Sequence, residues 1–185
     1  MPNYCEYEIH VRGKKENCRK FHQIMTDYNL PEHFFRVFQA DVTDEYGTDE
    51  DYCMEIAGDC AWSVYCCMCE GPFSYAASNG KGVTSLKKES HRLGLDVEIW
   101  SEERGMAFEE HMRYKNGICM EDVCYEVSWY WYDRSEFRSF KEFAKEYNLK
   151  DYTEDDLDDN DEIVIGYHEW TFANDRSSMN LMKAA

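Results

Sequence analysis

One segment of this chain occurs twice, and the repetition limits the folds that the chain can adopt. Residues 20–30 and residues 139–149, which are 119 positions apart, agree at Phe, Tyr, Asn and Leu. In both segments apolar side chains recur at i, i+3, i+4 and i+7, the spacing of an amphipathic helix. Each segment therefore predicts a helix that packs one face against a core.

The similarity continues on both sides of the two predicted helices. Residues 5–9 resemble residues 124–127 before the helix, and residues 55–62 resemble residues 162–170 after it. All four segments have the residue types of strands. The sequence therefore predicts two copies of a unit that runs strand, helix, acidic loop, strand.

Between the copies, turn signals separate further elements. We expect a strand at 62–69, a helix at 84–93 that Thr84 or Ser85 begins and Gly94 ends, and a half-buried strand at 95–100. Hairpin strands follow at 106–114 and 118–131. The element order predicts an α+β fold: a ferredoxin-like antiparallel sheet with helices on one face, plus a partial second β-α-β copy. We place the ferredoxin-like unit at 1–115 and the partial repeat at 116–185.

Two stretches hold the net charge of −18. Residues 41–70 contain nine acidic residues and residues 151–175 contain ten, and neither stretch contains a Lys or an Arg. The rest of the chain is close to neutral. So strong a polyanion repels nucleic acid and anionic membranes, which disfavours a direct nucleic-acid binder and favours a basic partner. Solubility alone is the alternative explanation.

The composition indicates a folded protein of the cytoplasm. The chain has 14 Tyr, 10 Phe and 5 Trp, enough for a packed core, and no apolar run of about 18 residues that would cross a membrane. Its first residues lack the basic and apolar segments of a signal peptide. The nine cysteines are therefore expected to be reduced, and most to be buried as small apolar side chains.

Metal sites and catalysis are weakly indicated. The spacing Cys66-Cys67-Met68-Cys69 could join Cys119 and Cys124 around zinc, but it lies in a predicted strand rather than in a tight turn. Residues 156–161 resemble a calcium loop, yet lack its Gly and its final Glu. His111 near Glu109 and Glu110 is the best acid–base candidate, and such pairs are common in an acidic chain. We predict no metal, no cofactor and no catalytic residue.

The aromatic run at 129–132 is a candidate protein contact. Strand alternation places its two Trp residues, Trp129 and Trp131, on one face and its two Tyr residues on the other. Both faces could be covered by the protein itself. An exposed pair would instead anchor a partner, because Trp and Tyr dominate binding hot spots.

Two motifs resemble a known family. Residues 1–13, M-P-N-Y-C-E-Y-E-I-H-V-R-G, resemble the opening M-P-N-W-C-x-N-x-L-x-V-x-G of the YubB-like ferredoxin-type family of phage and plasmid proteins. Residues 97–108 are similar to the family's strand, acidic-Gly turn and strand. The resemblance covers residues 1–115, with Tyr4 and Tyr7 in place of Trp and Asn. It implies a ferredoxin-like fold and a mobile-element origin, and it implies no enzymatic activity.

We therefore predict a non-enzymatic phage or mobile-element inhibitor that binds a host nucleic-acid-handling defence effector through a surface that mimics nucleic acid. A CRISPR-associated nuclease is the first choice of target, by analogy. The alternative is a small-molecule or metal-binding accessory protein, or an enzyme, whose acidity serves only solubility. The predicted partner-binding residues are Asp44, Glu45, Asp49, Glu50, Asp51, Glu154, Asp155, Asp156, Asp158, Asp159, Asp161, Glu162, Trp129 and Trp131.

Overall fold

The computed structural model describes residues 3–72, 74, 82–157 and 161–165. The helices and strands are, in chain order, β1 (Tyr4–Gly13), α1 (Lys15–Thr26), β2 (Val37–Gly47), β3 (Tyr52–Ala61), α2 (Val64–Met68), α3 (Leu86–Leu93), β4 (Asp96–Glu103), β5 (Phe108–Lys115), β6 (Ile118–Glu126), β7 (Ser128–Trp131), α4 (Phe140–Glu146) and β8 (Glu162–Ile165). A short 3-10 turn at Glu154–Asp156 lies between α4 and β8. No helix in the described part of the chain is long and apolar enough to span a membrane.

Six strands form one antiparallel sheet in the order β2-β3-β1-β4-β5-β6, and β7 pairs with β8 in a separate two-stranded sheet. The predicted α+β class with an antiparallel sheet is confirmed. The main sheet has two strands more than a simple four-stranded ferredoxin-like fold, because the β5–β6 hairpin extends it beyond β4.

Strand β1 defines the two faces of the main sheet. Its odd-numbered residues Cys5, Tyr7, Ile9 and Val11 are buried in the main core, whereas Glu6 and Glu8 point to the opposite side. The same core contains the apolar residues of α1, α2 and α3. We call the helix-covered side the inner face and the other side the outer face.

The predicted helix after residue 84 is confirmed as α3. The Ser85 side chain accepts a hydrogen bond from the amide of Lys88, and Gly94 ends the helix with φ of +63°. Both features follow from local chemistry, since Ser caps helix N-termini and Gly adopts the left-handed conformation without strain.

The strand expected at 62–69 is wrong, because this segment forms α2. The Ser63 side chain accepts a hydrogen bond from the amide of Cys66 at 3.0 Å. The buried carboxylate of Glu110, on β5, accepts hydrogen bonds from the amides of Val64 at 2.8 Å and Tyr65 at 3.3 Å. A partner 46 residues away in sequence satisfies the helix N-terminus, and local pattern cannot reveal it.

Three further predictions from the sequence need correction. The first acidic segment was expected to be a loop, but residues 41–47 belong to the edge strand β2. The strand expected at 118–131 is divided into β6 and β7 at Val127, whose amide donates to the carbonyl of Ala107 at 3.1 Å. Strand β4, expected to be half buried, is buried on both faces.

The C-terminal residues form a β-α-β unit from β7, α4 and β8 around a small second core that includes Tyr132, Phe140, Phe143 and Ile163. Strand β7 pairs antiparallel with β8, as β1 does with β3. The strand that precedes α4 is 128–131 rather than the 124–127 expected from the repeat. The division of the chain at residue 115 stays a prediction. Strand β6, which follows residue 115, lies in the main sheet.

Replacing Glu110 with Ala should destabilise the protein, because the amides of Val64 and Tyr65 lose their buried acceptor. We expect the free energy of unfolding to fall by about 2 kcal/mol. Urea denaturation followed by circular dichroism measures this change. Glu126→Ala, at an exposed position, is the control and should be near neutral; equal effects of the two changes would contradict the capping role.

Candidate functional site

Four carboxylates face one another across four neighbouring strands on the outer face of the main sheet. The register places Asp59 of β3 opposite Glu6 of β1, Glu6 opposite Glu102 of β4, and Glu102 opposite Glu109 of β5. Directly opposite residues have Cβ atoms about 4.5–5.5 Å apart, where like charges destabilise a sheet. We call Asp59, Glu6, Glu102 and Glu109 the acidic row.

Elsewhere on the outer face, acids and bases are matched. His10 of β1 lies between Glu55 of β3 and Glu98 of β4. Asp96 of β4 makes ion pairs with Arg113 at 2.8 Å and Lys115 at 3.4 Å. The compensation elsewhere makes the acidic row a local exception. Such departures from sheet-stabilising rules concentrate at functional sites.

The acidic row lines a cavity of about 570 Å³. Two more carboxylates, Glu8 and Asp41, contribute to its wall, and no Lys or Arg in the described part of the chain does. The remaining lining residues are Tyr7, Gln39, Thr43, Ala57, Gly58, Trp100 and Ser101. The cavity is thus suited to a cationic group.

Burial and the neighbouring charge of Glu6 perturb two members of the acidic row, Asp59 and Glu102. Burial raises the pKa of Asp59 above 3.8, and the neighbouring charge of Glu6 raises it further. Burial also raises the pKa of Glu102 above 4.5; Arg104 opposes this rise, and Glu6 adds to it. The Oδ1 atom of Asp59 is buried and accepts no hydrogen bond within the described structure. These carboxylates are therefore less stable as anions in the folded chain than in water.

Among the described residues, one base contacts the acidic row. Arg104, in the turn between β4 and β5, lies 3.5 Å from Glu102 and also binds Glu162 of β8 at 3.2 Å. Trp131 of β7 is opposite Glu162 in the small sheet, and its side chain is 61% exposed. The acidic row and an exposed Trp thus lie at the same end of the molecule.

An aromatic and acid–base cluster adjoins the cavity. Nε2 of His111 lies 2.7 Å from Oε1 of Glu98, and both side chains are buried. The Trp100 ring stacks on His111 with centroids 4.1 Å apart, and Tyr125 stacks on Trp100 at 6.1 Å. The carboxylate partner of His111 is therefore Glu98, and neither Glu109 nor Glu110 takes this role. Enclosure by rings favours a structural role for this cluster.

The first acidic segment is largely neutralised within the protein. Ion pairs join Glu45 to Arg19, Asp49 to Lys15, Glu50 to Lys14 and Asp51 to Arg12, at 4.0, 3.6, 2.8 and 3.0 Å respectively. Arg12 lowers the pKa of Asp51 through a hydrogen bond. The Asp44 side chain accepts a hydrogen bond from the amide of Glu45. These carboxylates connect the β2–β3 turn to β1 and α1.

The second acidic segment is paired in a similar way. Arg134 binds Glu154 at 2.9 Å and Asp161 at 2.7 Å. Asp156 accepts hydrogen bonds from Thr153 and thereby closes the 3-10 turn. Asp155 is exposed and makes no ion pair within the described structure. Asp158 and Asp159 lie outside the described residues.

The predicted acids at 44–51 and those at 154–156 and 161–162 do not form one surface. The β2–β3 turn adjoins Gly13 at one end of β1, since the amide of Lys15 donates to the carbonyl of Asp49 at 2.9 Å. Glu162 instead contacts the β4–β5 turn, beyond the opposite end of β1. A ten-residue strand separates these ends, a span of roughly 30 Å. These two groups of acids therefore do not form one continuous acidic face.

The remaining predicted sites are the side chain of Trp129 and the cysteines, and the structure describes them only in part. The backbone of Trp129 lies in β7, and its side chain is outside the described structure. All nine cysteines are free thiols. Cys67 and Cys69 are buried at α2, whereas Cys119 and Cys124 are exposed on β6. Across the described ranges, no group of three or more His, Cys, Asp or Glu side chains is arranged to hold a metal ion.

Sequence reasoning missed the acidic row because its members lie in four different strands. The alternation of Glu6 and Glu8 with apolar residues marked β1 as a strand with one polar face. Only the strand order and register bring Asp59 and Glu102 to either side of Glu6.

Replacing Glu6 with Gln should stabilise the protein, because the change removes two like-charge contacts in the acidic row. We expect the free energy of unfolding to rise by about 0.5–1 kcal/mol at pH 7. Thermal and urea denaturation at low ionic strength measure the change. Glu50→Gln removes the same charge from an ion pair with Lys14 and should give no rise; a destabilised Glu6→Gln would contradict the repulsion.

The benefit of replacing Asp59 with Asn should depend on pH. A raised pKa in the folded state means that ionised Asp59 opposes folding at pH 7, and that this cost disappears as pH falls from the raised value towards 3.8. Asp59→Asn should therefore be more stable than the unmodified protein at pH 7 and equal to it near pH 3.5. Urea denaturation across this range tests the trend, and a constant difference would contradict it.

Comparison with known proteins gave no match: no protein-family model, no curated protein and no solved structure is similar to this chain. The resemblance to the YubB-like family therefore stays a prediction, and the functional argument rests on the geometry of the site.

Proposed function

We propose that this protein is a non-enzymatic inhibitor, encoded by a phage or another mobile element, that acts in the cytoplasm of a bacterial host. It binds the Lys- and Arg-lined site of a nucleic-acid-handling defence effector, with a CRISPR-associated nuclease as the first choice of target. The acidic row and its cavity form the centre of the contact. The observation that carries this proposal is the set of four opposed carboxylates, in a cavity that no Lys or Arg of the described residues lines.

A basic partner relieves a repulsion that the free protein sustains. Asp59, Glu6 and Glu102 are cross-strand neighbours, and Arg104 beside Glu102 is the one Lys or Arg among the described residues that pairs with them. Two unit charges about 4 Å apart interact by about 1 kcal/mol in water and by about 4 kcal/mol near a protein surface. A guanidinium or ammonium group placed among these carboxylates replaces repulsion with attraction. Binding energy is therefore concentrated at this row.

The sheet holds its carboxylates at close, regular spacings, as a nucleic-acid backbone holds its phosphates. Strands lie about 4.8 Å apart, and Glu6 and Glu8 lie about 6.7 Å apart along β1. A protein that binds nucleic acid holds bases positioned for closely spaced negative charges. These bases would also attract the rest of this protein, whose net charge is −18.

The acidic segments predicted from the sequence take a secondary part in this proposal. Of the ten described acids that were predicted to bind a partner, seven make ion pairs with Lys or Arg, which reduces the field that they present to a partner. Among these ten, Glu162 is linked to the acidic row, because Arg104 contacts both Glu102 and Glu162. Trp131, at the same end, is placed to supply an apolar anchor beside the acidic row.

We also propose that β1 to β4 with their helices are a ferredoxin-like unit to which the β5–β6 hairpin was added. The order β1-α1-β2-β3-α-β4 supports this, as do the antiparallel pairs of β1 with β3 and with β4. The hairpin supplies Glu109, the last member of the acidic row.

A nuclease assay with charge-reversed variants tests the inhibitory function. Purified CRISPR-associated nuclease on its guide RNA is mixed with increasing amounts of the protein, and cleavage of target DNA is measured. We expect the unmodified protein to inhibit cleavage, and Glu6→Lys with Asp41→Lys to weaken inhibition by about tenfold or more, a loss of 1.4 kcal/mol. Both residues are exposed, so the variant should fold.

Asp44→Lys with Glu50→Lys is the matched control at the other end of the sheet. It makes the same change in net charge and should alter inhibition by no more than about twofold, because long-range steering affects both variants alike. Equal losses in the two variants would contradict a role for the acidic row. Full cleavage with a tenfold excess of unmodified protein would contradict inhibition of this target.

A further inference from the structure

Strand β6 is an exposed edge of the main sheet. Within the described residues, β6 and β2 are the two edge strands, and every other strand of this sheet has a neighbouring strand on both sides. Ile118 is 65% exposed and Met120 is 55% exposed, and Cys119 and Cys124 are also exposed. A long edge strand with exposed apolar side chains is a template for pairing with another strand.

The opposite edge is less regular. Strand β2 carries Asp41, Asp44 and Glu45, and its pairing with β3 shifts register at two places. Charged side chains and bulges are features that keep sheet edges from pairing. Strand β6 has one register shift, at Met120, and its regular pairing with β5 from Glu121 to Glu126 leaves this stretch of the edge available for a partner.

The free backbone groups of β6 can be assigned from its hairpin. Asn116 and Gly117 form a two-residue turn with φ of +50° and +80°, so Lys115 and Ile118 form a hydrogen-bonded pair. Met120 is an extra residue with no opposite residue on β5. Alternation along β5 then directs the N–H and C=O of Asp122 and Cys124 away from the sheet.

The charges along β6 select the chemistry of a partner strand. Asp122 and Glu126 are exposed and share the inner-face side, and neither makes an ion pair within the part of the chain that the structure describes. Val123 and Tyr125 alternate with them on the outer face. A complementary strand would alternate basic and apolar side chains.

We propose that β6 binds an extended segment of a partner protein, with alternating Lys or Arg and apolar residues, as a seventh strand of the sheet. Main-chain hydrogen bonds to the outer side of β6 give affinity, and Asp122 with Glu126 selects basic side chains. A second copy of this chain is a poorer occupant, because its own net charge of −18 opposes self-association. The proposal does not depend on the acidic row.

Two ten-residue peptides test the proposal, one alternating Lys and Val and the other alternating Glu and Val. Fluorescence anisotropy gives the affinities, and amide hydrogen exchange locates the binding. The Lys–Val peptide should bind more tightly and should protect the amides of Asp122 and Cys124. Asp122→Lys should weaken its binding at least tenfold and should improve binding of the Glu–Val peptide.

Two further variants separate strand pairing from charge attraction. Cys124→Pro removes an outward N–H and should weaken the Lys–Val peptide at least tenfold, whereas Cys124→Ser keeps the N–H and should bind normally. Glu146→Gln removes an exposed charge on α4 and should also bind normally. Unchanged binding by Asp122→Lys, or protection outside β6, would overturn the proposal. A dimer of the unmodified protein in sedimentation experiments that Cys124→Pro abolishes would assign the edge to a second copy and would also overturn it.

Discussion

Strand β1 is the constraint on which the rest of this structure depends. It lies at the centre of the main sheet and pairs with β3 on one side and β4 on the other. Its odd-numbered residues, from Cys5 to Val11, form the floor of the main core, and its even-numbered residues form the middle of the outer face. A shift of one residue would bury Glu6 and Glu8 beneath α1, so burial fixes the register of the sheet. The same register that makes the core therefore sets Glu6 between two other carboxylates.

Some acidic residues of this protein are paired with bases of the same chain, and others face further acidic residues. The acids of the β2–β3 turn make ion pairs with Arg12, Lys14 and Lys15. These pairs connect the turn to β1 and α1 at one end of the sheet. In the acidic row, Arg104 pairs with Glu102, whereas Asp59 and Glu6 make no ion pair within the described residues. Density of acidic residues along the chain is thus a poor guide to the electrostatic surface. What matters is whether the fold brings bases to them.

Predictions from local pattern succeeded where short-range chemistry decides the structure. The helix capped by Ser85 and ended by Gly94, the amphipathic helices α1 and α4, and the alternating strand β1 were all visible in the sequence. They failed at residues 64–68, where Glu110 of a distant strand caps α2. They also failed at residues 41–47, because an edge strand exposed to water tolerates the composition of a loop.

The sequence alone determined the α+β class, the antiparallel character of the sheet and the acidity that favours a basic partner. Those properties depend on periodicity and composition, which act within a few residues or over the whole chain. Only the tertiary structure decided that Asp59, Glu6, Glu102 and Glu109 stand in one row, that the two acidic segments lie apart and that β6 is an edge. These are properties of strand order and register, and they arise when residues as much as 96 positions apart, Glu6 and Glu102, pair across neighbouring strands.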